Sequence, residues 1–191
     1  MTVPPTAPEP GTPEPGTPPA AVLIGPPGAG KTVVGALVAA GLGVQFTDTD
    51  AEVGAVAGKP VSDIFIDDGE EAFRALERQA AAGALGENGP LRERGGVLAL
   101  GSGAVLDDGI QRLLDGLPVV YLAADFGTIA RRIGLDVPRI VIPGNPRGRL
   151  RAMLEERRGI YERLASITVQ TDEKDPEELA AEITAMIGAP R

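Results

Sequence analysis

The sequence of 191 residues contains no histidine, no cysteine and no tryptophan. Without cysteine the chain can form neither a disulfide framework nor a thiolate metal site. Without histidine it lacks the usual proton carrier at neutral pH and the commonest metal ligand. Acid–base chemistry must therefore come from Asp, Glu, Lys or Tyr, and any bound metal should be a hard, oxygen-liganded ion such as Mg²⁺.

Long hydrophobic runs are also missing. No apolar run approaches the roughly 20 residues that a membrane span needs, and the N-terminus lacks the basic patch and apolar stretch of a secretion signal. We therefore expect a cytoplasmic protein with no membrane partner. The formal net charge of −9 argues against a nucleic-acid partner, and we expect a monomer.

Proline is concentrated at the N-terminus, where residues 1–19 hold eight of the 18 prolines and repeat EPGTP twice. Such a stretch cannot bury apolar surface. The sequence therefore predicts a disordered tail over 1–19 and a folded domain over 20–191.

Short apolar runs alternate with helical patterns throughout the predicted domain. Strands are predicted at 20–24, 44–47, 97–100, 119–122 and 167–170. Helices are predicted at about 31–41, 70–85, 108–115, 126–134, 147–165 and 176–187. This alternation predicts a five-stranded parallel sheet between two layers of helices, a three-layer α/β/α fold. Ligands of such folds bind at the carboxyl ends of the strands.

The most specific motif is GPPGAGKT at 25–32, which follows a predicted strand and precedes a predicted helix. Its spacing matches G-x-x-x-x-G-K-[ST], in which glycines let backbone N–H groups and the helix N-terminus face phosphate oxygens. Lys31 would reach the β- and γ-phosphates, and the Thr32 hydroxyl can ligate Mg²⁺. The motif predicts binding of a nucleoside triphosphate in a fold of the P-loop NTPase type.

The carboxylate that most P-loop proteins use to hold the metal is missing from its usual position in this sequence. The strand at 97–100 runs into GSGAV without an acid, whereas an Asp normally ends a later strand. The nearest strand-terminal acids are Asp48 and Asp50, in FTDTDAEV. In an extended strand their Cα atoms would lie roughly 6–7 Å apart with both side chains on one face. One acid could then hold the metal's water shell and the other a substrate hydroxyl.

Arginine is unevenly distributed. Nine arginines lie between Arg131 and Arg163, half of the 18 Lys and Arg residues. Two interpretations stay open from this pattern: a binding segment for a small anion, or a solvated helix face.

The motifs GPPGAGKT, DTD, FRALE, GSGAV, an arginine among Gly and Pro, and R-x-x-x-Y occur in this order. From about residue 20 to 187 the chain resembles the shikimate kinase family, small P-loop kinases of chorismate and aromatic amino-acid biosynthesis. The resemblance implies that ATP, with Mg²⁺, phosphorylates the 3-hydroxyl of shikimate.

The resemblance also implies residue roles. Three residues are expected to be catalytic: Lys31, Asp50 and Arg139. Asp50 is a candidate for taking the hydroxyl proton, and Arg139 lies in an expected mobile lid over about 134–148. The metal is expected to contact Thr32 and, through water, Asp48. The nucleotide site is expected to comprise Gly28, Ala29, Gly30, Lys31, Thr32, Val33, Arg132, Arg139 and Pro176, with Arg132 stacking on adenine.

The shikimate site follows from the same resemblance. It is expected to comprise Asp50, Arg74, Glu77, Gly101, Ser102, Gly103 and Arg157. Arg74 and Arg157 would bind the carboxylate, and Glu77 would hold the Arg74 guanidinium in place.

Two segments depart from the family pattern. Ser102 replaces the middle of three consecutive glycines, and RIVI at 139–142 stands where the family usually has R-P-L-L. A side chain at position 102 would be costly if the backbone there needed a positive φ. Two alternatives to a shikimate kinase remain: a related small-metabolite kinase, such as one for gluconate, and a non-catalytic nucleotide-binding regulatory module.

Overall fold

The structure is a computed structural model that describes residues 21–86, 89, 95–135 and 145–188. The predicted tail at 1–19 and the predicted catalytic Arg139 lie outside these residues, as does most of the predicted lid. No helix within the described ranges is long and apolar enough to cross a membrane.

Five strands form one parallel sheet. They are β1 (Ala21–Ile24), β2 (Phe46–Asp48), β3 (Val97–Ala99), β4 (Val119–Ala123) and β5 (Ile167–Gln170). Their order in the sheet is β2-β3-β1-β4-β5, and each neighbouring pair is parallel. The three inner strands are buried along their whole length, because helices cover both faces of the sheet. The predicted fold class is confirmed.

Helices fill the layers on the two sides of the sheet. They are α1 (Lys31–Leu42), α2 (Thr49–Ala57), α3 (Val61–Asp67), α4 (Gly69–Leu85), α5 (Asp108–Leu114), α6 (Phe126–Arg132), α7 (Pro146–Leu164) and α8 (Pro176–Gly188). Along β1 the side chains alternate between the two faces. Val22 and Ile24 pack in a cluster with residues of α4, α5 and α7, whereas Ala21 and Leu23 pack with α1 and α8.

Helices α2 and α3 were not predicted, and the predicted placement of Asp48 and Asp50 on one face of a strand was wrong as a result. Strand β2 ends at Asp48, and Asp50 lies in the first turn of α2 rather than on the same strand face. Asp48 is extended and caps α2, because its side chain accepts the Asp50 N–H at 2.9 Å. An Asp cap followed by acidic residues in the first turn stabilises a helix start. The helix therefore begins one residue after the strand ends.

Candidate active site

The phosphate-binding loop joins β1 to α1. Gly28 and Gly30 adopt positive φ angles of 78° and 97°. A Cβ atom on Gly28 would also lie 2.8 Å from the Ile133 side chain, at the end of α6. Ala29 is buried and Val33 is exposed on α1. The loop thus has the tight backbone that the motif predicts, with the N-terminus of α1 behind it.

Lys31 lies across this loop. Its Nζ donates hydrogen bonds to the carbonyl oxygens of Gly25 at 2.8 Å and Pro26 at 3.1 Å. Burial lowers the pKa of Lys31 to about 8, and the negative charges of Asp50 and Asp48 partly oppose this shift. The ammonium is therefore protonated at neutral pH and is held over the phosphate loop by two of its carbonyl oxygens.

Thr32 and Asp48 form a hydrogen-bonded pair of oxygen-bearing side chains at the start of α1 and the end of β2. The Thr32 hydroxyl donates to Asp48 Oδ2 at 2.6 Å, while Asp48 Oδ1 accepts the Asp50 N–H. No group of three or more acidic side chains in the described part of the chain could hold a metal by itself. This donor set fits Mg²⁺, which typically binds one or two protein oxygens together with phosphates and water.

Asp50 lies in the first turn of α2 and faces a cleft of about 350 Å³. Lys31 of the phosphate loop and Ser102 of the loop after β3 line the same cleft. Burial raises the pKa of Asp50, the charge of Asp48 raises it further, and Lys31 opposes both. A carboxylate with a raised pKa is a better proton acceptor than an ordinary aspartate.

Arg74 and Glu77 project from one face of α4 as a closely bonded pair. Arg74 Nη1 donates to Glu77 Oε2 at 2.6 Å, and Arg74 Nη2 donates to the exposed Glu70 at 3.3 Å. Glu77 is only 2% exposed. A carboxylate so deeply buried needs a charged partner, so Glu77 fixes the orientation of the Arg74 guanidinium.

The loop after β3 passes close to all of these groups. A Cβ atom on Gly101 would lie 2.5 Å from Glu77 Oε1 and 2.8 Å from Asp50 Oδ1, and one on Gly103 would overlap the Arg74 guanidinium. A side chain at Gly101 or Gly103 would therefore force Asp50, Glu77 or Arg74 to move. Their backbone brings Asp50, Glu77 and Arg74 to one place.

Ser102 occupies the middle of this loop without strain. Among the described residues no amino acid other than glycine has a positive φ, so the substitution of Ser102 for glycine carries no backbone penalty. Its carbonyl oxygen accepts hydrogen bonds from Tyr161 Oη at 2.7 Å and Arg157 Nη1 at 3.3 Å. Both donors lie on α7.

Arg157 has a further donor to offer. Its Nε is buried and has no hydrogen-bond partner within the part of the chain that the structure describes. A buried unpaired donor costs free energy unless a ligand satisfies it. The carboxylate of a substrate would do so, as expected for the second carboxylate-binding arginine.

Arg132 connects the phosphate loop to the segment after β5. Its guanidinium donates to the Thr171 carbonyl oxygen at 2.6 Å, to Thr171 Oγ1 at 2.9 Å and to the Gly28 carbonyl oxygen at 3.3 Å. Pro176 begins α8 a few residues later, and Asp175 caps that helix by accepting the Glu178 N–H at 2.8 Å. Of the predicted base-binding residues, Arg132 therefore lies beside the phosphate loop, and Pro176 begins the helix that follows Thr171.

Thr49 is the site residue that sequence reasoning missed. It is fully buried, and its hydroxyl accepts the Gly101 N–H at 2.8 Å and faces the Ala99 carbonyl oxygen at 3.5 Å. A hydroxyl residue between two acids at a strand end was the available signal. The N–H of Gly101, a residue expected in the shikimate site, is bound to Thr49.

The phosphate loop, Asp50 and Ser102 line one cleft, and Arg74 and Arg157 lie beside the loop at 101–103 that borders it. A phosphate-binding loop next to a carboxylate and two arginines is the arrangement of a P-loop kinase for a small anionic acceptor. The shikimate kinase family model matches residues 27–188. Shikimate kinase of Thermobifida fusca is 54% identical over 167 residues, which cover 87% of this chain and 93% of the relative. Shikimate kinase of Salinispora arenicola is 48% identical over 171 residues, covering 90% and 99% respectively. The chain belongs to the shikimate kinase family.

A solved structure agrees with this placement. Shikimate kinase from Acinetobacter baumannii, in complex with shikimate, superposes with a TM-score of 0.77 at 31% identity. The match covers 90% of this chain and 94% of that one.

Proposed function

We propose that the protein transfers the γ-phosphoryl group of ATP to the 3-hydroxyl of shikimate. Family membership supports the reaction, and the observation that carries the site assignment is the convergence on residues 101–103. Asp50 and Glu77 lie where a Cβ atom on Gly101 would be, Arg74 lies where one on Gly103 would be, and Arg157 binds the Ser102 carbonyl oxygen. One short loop thus aligns a proton acceptor with two carboxylate-binding groups.

The nucleotide end of the proposed site is the loop and its flanks. Residues Gly28 to Val33 would surround the phosphates, with Lys31 on the β- and γ-phosphates and Arg132 and Pro176 beside adenine. Thr32 would hold Mg²⁺ directly, and Asp48 would hold it through water. Bound Mg²⁺ supplies charge neutralisation on the phosphates.

The acceptor end holds shikimate at two places. Arg74, oriented by Glu77, and Arg157, through its buried Nε, would bind the carboxylate, because a guanidinium matches a carboxylate in shape and charge. The N–H groups of Ser102 and Gly103 would complete this end. Asp50 would bind the hydroxyl that attacks.

The chemical step forms a bond between the 3-oxygen of shikimate and the γ-phosphorus while the bond from that phosphorus to the bridging oxygen of ADP breaks. The hydroxyl proton passes to Asp50, whose burial favours accepting it. Lys31 stabilises the negative charge on the transferring group. Arg139 is proposed, from the family resemblance alone, to assist from a lid that excludes water.

The test is a coupled assay of ADP release with shikimate, with gluconate and with no acceptor. We expect release that depends on shikimate and is abolished in Asp50→Asn, while Asp63→Asn on the exposed start of α3 keeps wild-type rates. Equal release without an acceptor, or preference for gluconate, would refute the proposal. Monomeric state and cytoplasmic location stay predictions.

A further inference from the structure

The loop at 101–103 is held from two sides by buried hydroxyl groups. On one side Thr49 Oγ1 accepts the Gly101 N–H at 2.8 Å. On the other side Tyr161 Oη donates to the Ser102 carbonyl oxygen at 2.7 Å. The two bonds engage consecutive residues of the loop, so together they fix its height above the sheet and its tilt.

Both hydroxyl groups are rigidly placed. Thr49 has no exposed surface, and it lies between the helix cap Asp48 and the predicted proton acceptor Asp50. Tyr161 is 1% exposed and stacks on Tyr121 of β4, with the ring centroids 5.2 Å apart. Burial raises the pKa of Tyr161 to about 12, so its hydroxyl stays a donor at any physiological pH.

The position of the loop also determines the positions of the proposed substrate-binding side chains around it. Gly101 is wedged against the carboxylates of Asp50 and Glu77, and Gly103 lies against the Arg74 guanidinium. The Ser102 carbonyl oxygen, which Tyr161 binds, is also the acceptor for Arg157 Nη1. A shift of the loop would therefore move Asp50 and both arginines relative to one another.

We propose that Thr49 and Tyr161 are positioning residues that set the spacing between the hydroxyl-binding and carboxylate-binding ends of the acceptor site through the loop at 101–103. Neither side chain needs to touch shikimate or ATP for this role. The inference rests on the proposed function, since it concerns the acceptor of that reaction.

The test compares steady-state constants for both substrates in hydroxyl-deletion variants. Thr49→Val is nearly isosteric but leaves the Gly101 N–H without its acceptor, and Tyr161→Phe removes the donor to Ser102. For each we expect the KM for shikimate to rise about 10-fold, equivalent to about 1.4 kcal/mol. The KM for ATP should change by less than about 2-fold, because the phosphate loop is untouched.

Two controls separate positioning from general damage. Thr49→Ser keeps the hydroxyl and should restore a shikimate KM close to the wild-type value. Thr47→Val makes the same chemical change two residues earlier, where the side chain lines an outer groove between α2 and α4, and should leave both KM values unchanged.

The outcomes are distinguishable. Unchanged shikimate KM values, equal rises for ATP and shikimate, or a Thr49→Ser variant as impaired as Thr49→Val would overturn the inference. If Thr49→Val does not fold, Tyr161→Phe decides alone by the same criterion. Absence of shikimate-dependent turnover in the wild-type protein would instead refute the proposed function.

Discussion

Arg74→Ala should damage the protein in two separable ways. The guanidinium neutralises Glu77, whose side chain is 3% exposed while that of Arg74 is 25% exposed. Removing one partner of a buried ion pair leaves an unpaired buried charge. We expect the free energy of unfolding to fall by about 3 kcal/mol, the lower end of the usual range, because Arg74 is partly solvated. For a domain of this size, Tm should fall by about 6–12 °C.

The same substitution should weaken acceptor binding. Losing one charged partner of the shikimate carboxylate costs about 2–3 kcal/mol, so the KM for shikimate should rise roughly 30- to 150-fold. The KM for ATP should stay within about 2-fold, because Arg74 does not line the nucleotide loop.

A second substitution separates the two effects. Glu77→Met added to Arg74→Ala removes the stranded charge, so thermal unfolding should recover most of the lost Tm. The shikimate KM should remain high, because the guanidinium is still absent. If both Tm and KM recover together, or if Arg74→Ala raises both KM values alike, the role given to Arg74 is wrong.

Three further predictions concern other parts of the cleft. ATP phosphates bind the protonated form of Lys31, and the pH dependence of kcat/KM reports the ionisation of the free protein. The kcat/KM for ATP should therefore decline as pH rises above about 8. Lys31→Arg should show no decline there, and a flat wild-type profile would contradict the reasoning. Gly103→Ala should raise the shikimate KM and spare that of ATP, because the added methyl overlaps the Arg74 guanidinium; equal kinetics for the two proteins would refute the close contact. Asp48→Asn should raise the Mg²⁺ concentration needed for half-maximal rate, since it removes the charged partner of Thr32; an unchanged Mg²⁺ dependence would exclude Asp48 from the metal site.

The sheet and phosphate loop were predictable because their signals are local. Buried parallel strands are short apolar runs, and the loop is a contiguous motif between a strand and a helix. Helix α2 gave no such signal, because only Thr49 and Val53 among its residues are buried. A helix with so narrow a buried stripe lacks the periodicity on which prediction depends.

The contacts that assemble the acceptor site were beyond reach for a different reason. The Thr49 bond to Gly101 spans 52 residues, and the Tyr161 bond to Ser102 spans 59. Spacing within a motif says nothing about which backbone group a distant hydroxyl will meet. Whether a side chain at Ser102 strains the backbone could likewise be decided only from the backbone angles of the folded loop.

Phosphorylation of the 3-hydroxyl of shikimate is tested most directly by identifying the product. The protein, ATP, Mg²⁺ and shikimate are incubated together, and the mixture is followed by phosphorus and proton NMR. We expect one new phosphate ester, coupled to the proton on carbon 3 of shikimate, appearing in step with ADP. ADP accompanied only by inorganic phosphate, or an ester on another hydroxyl, would contradict it.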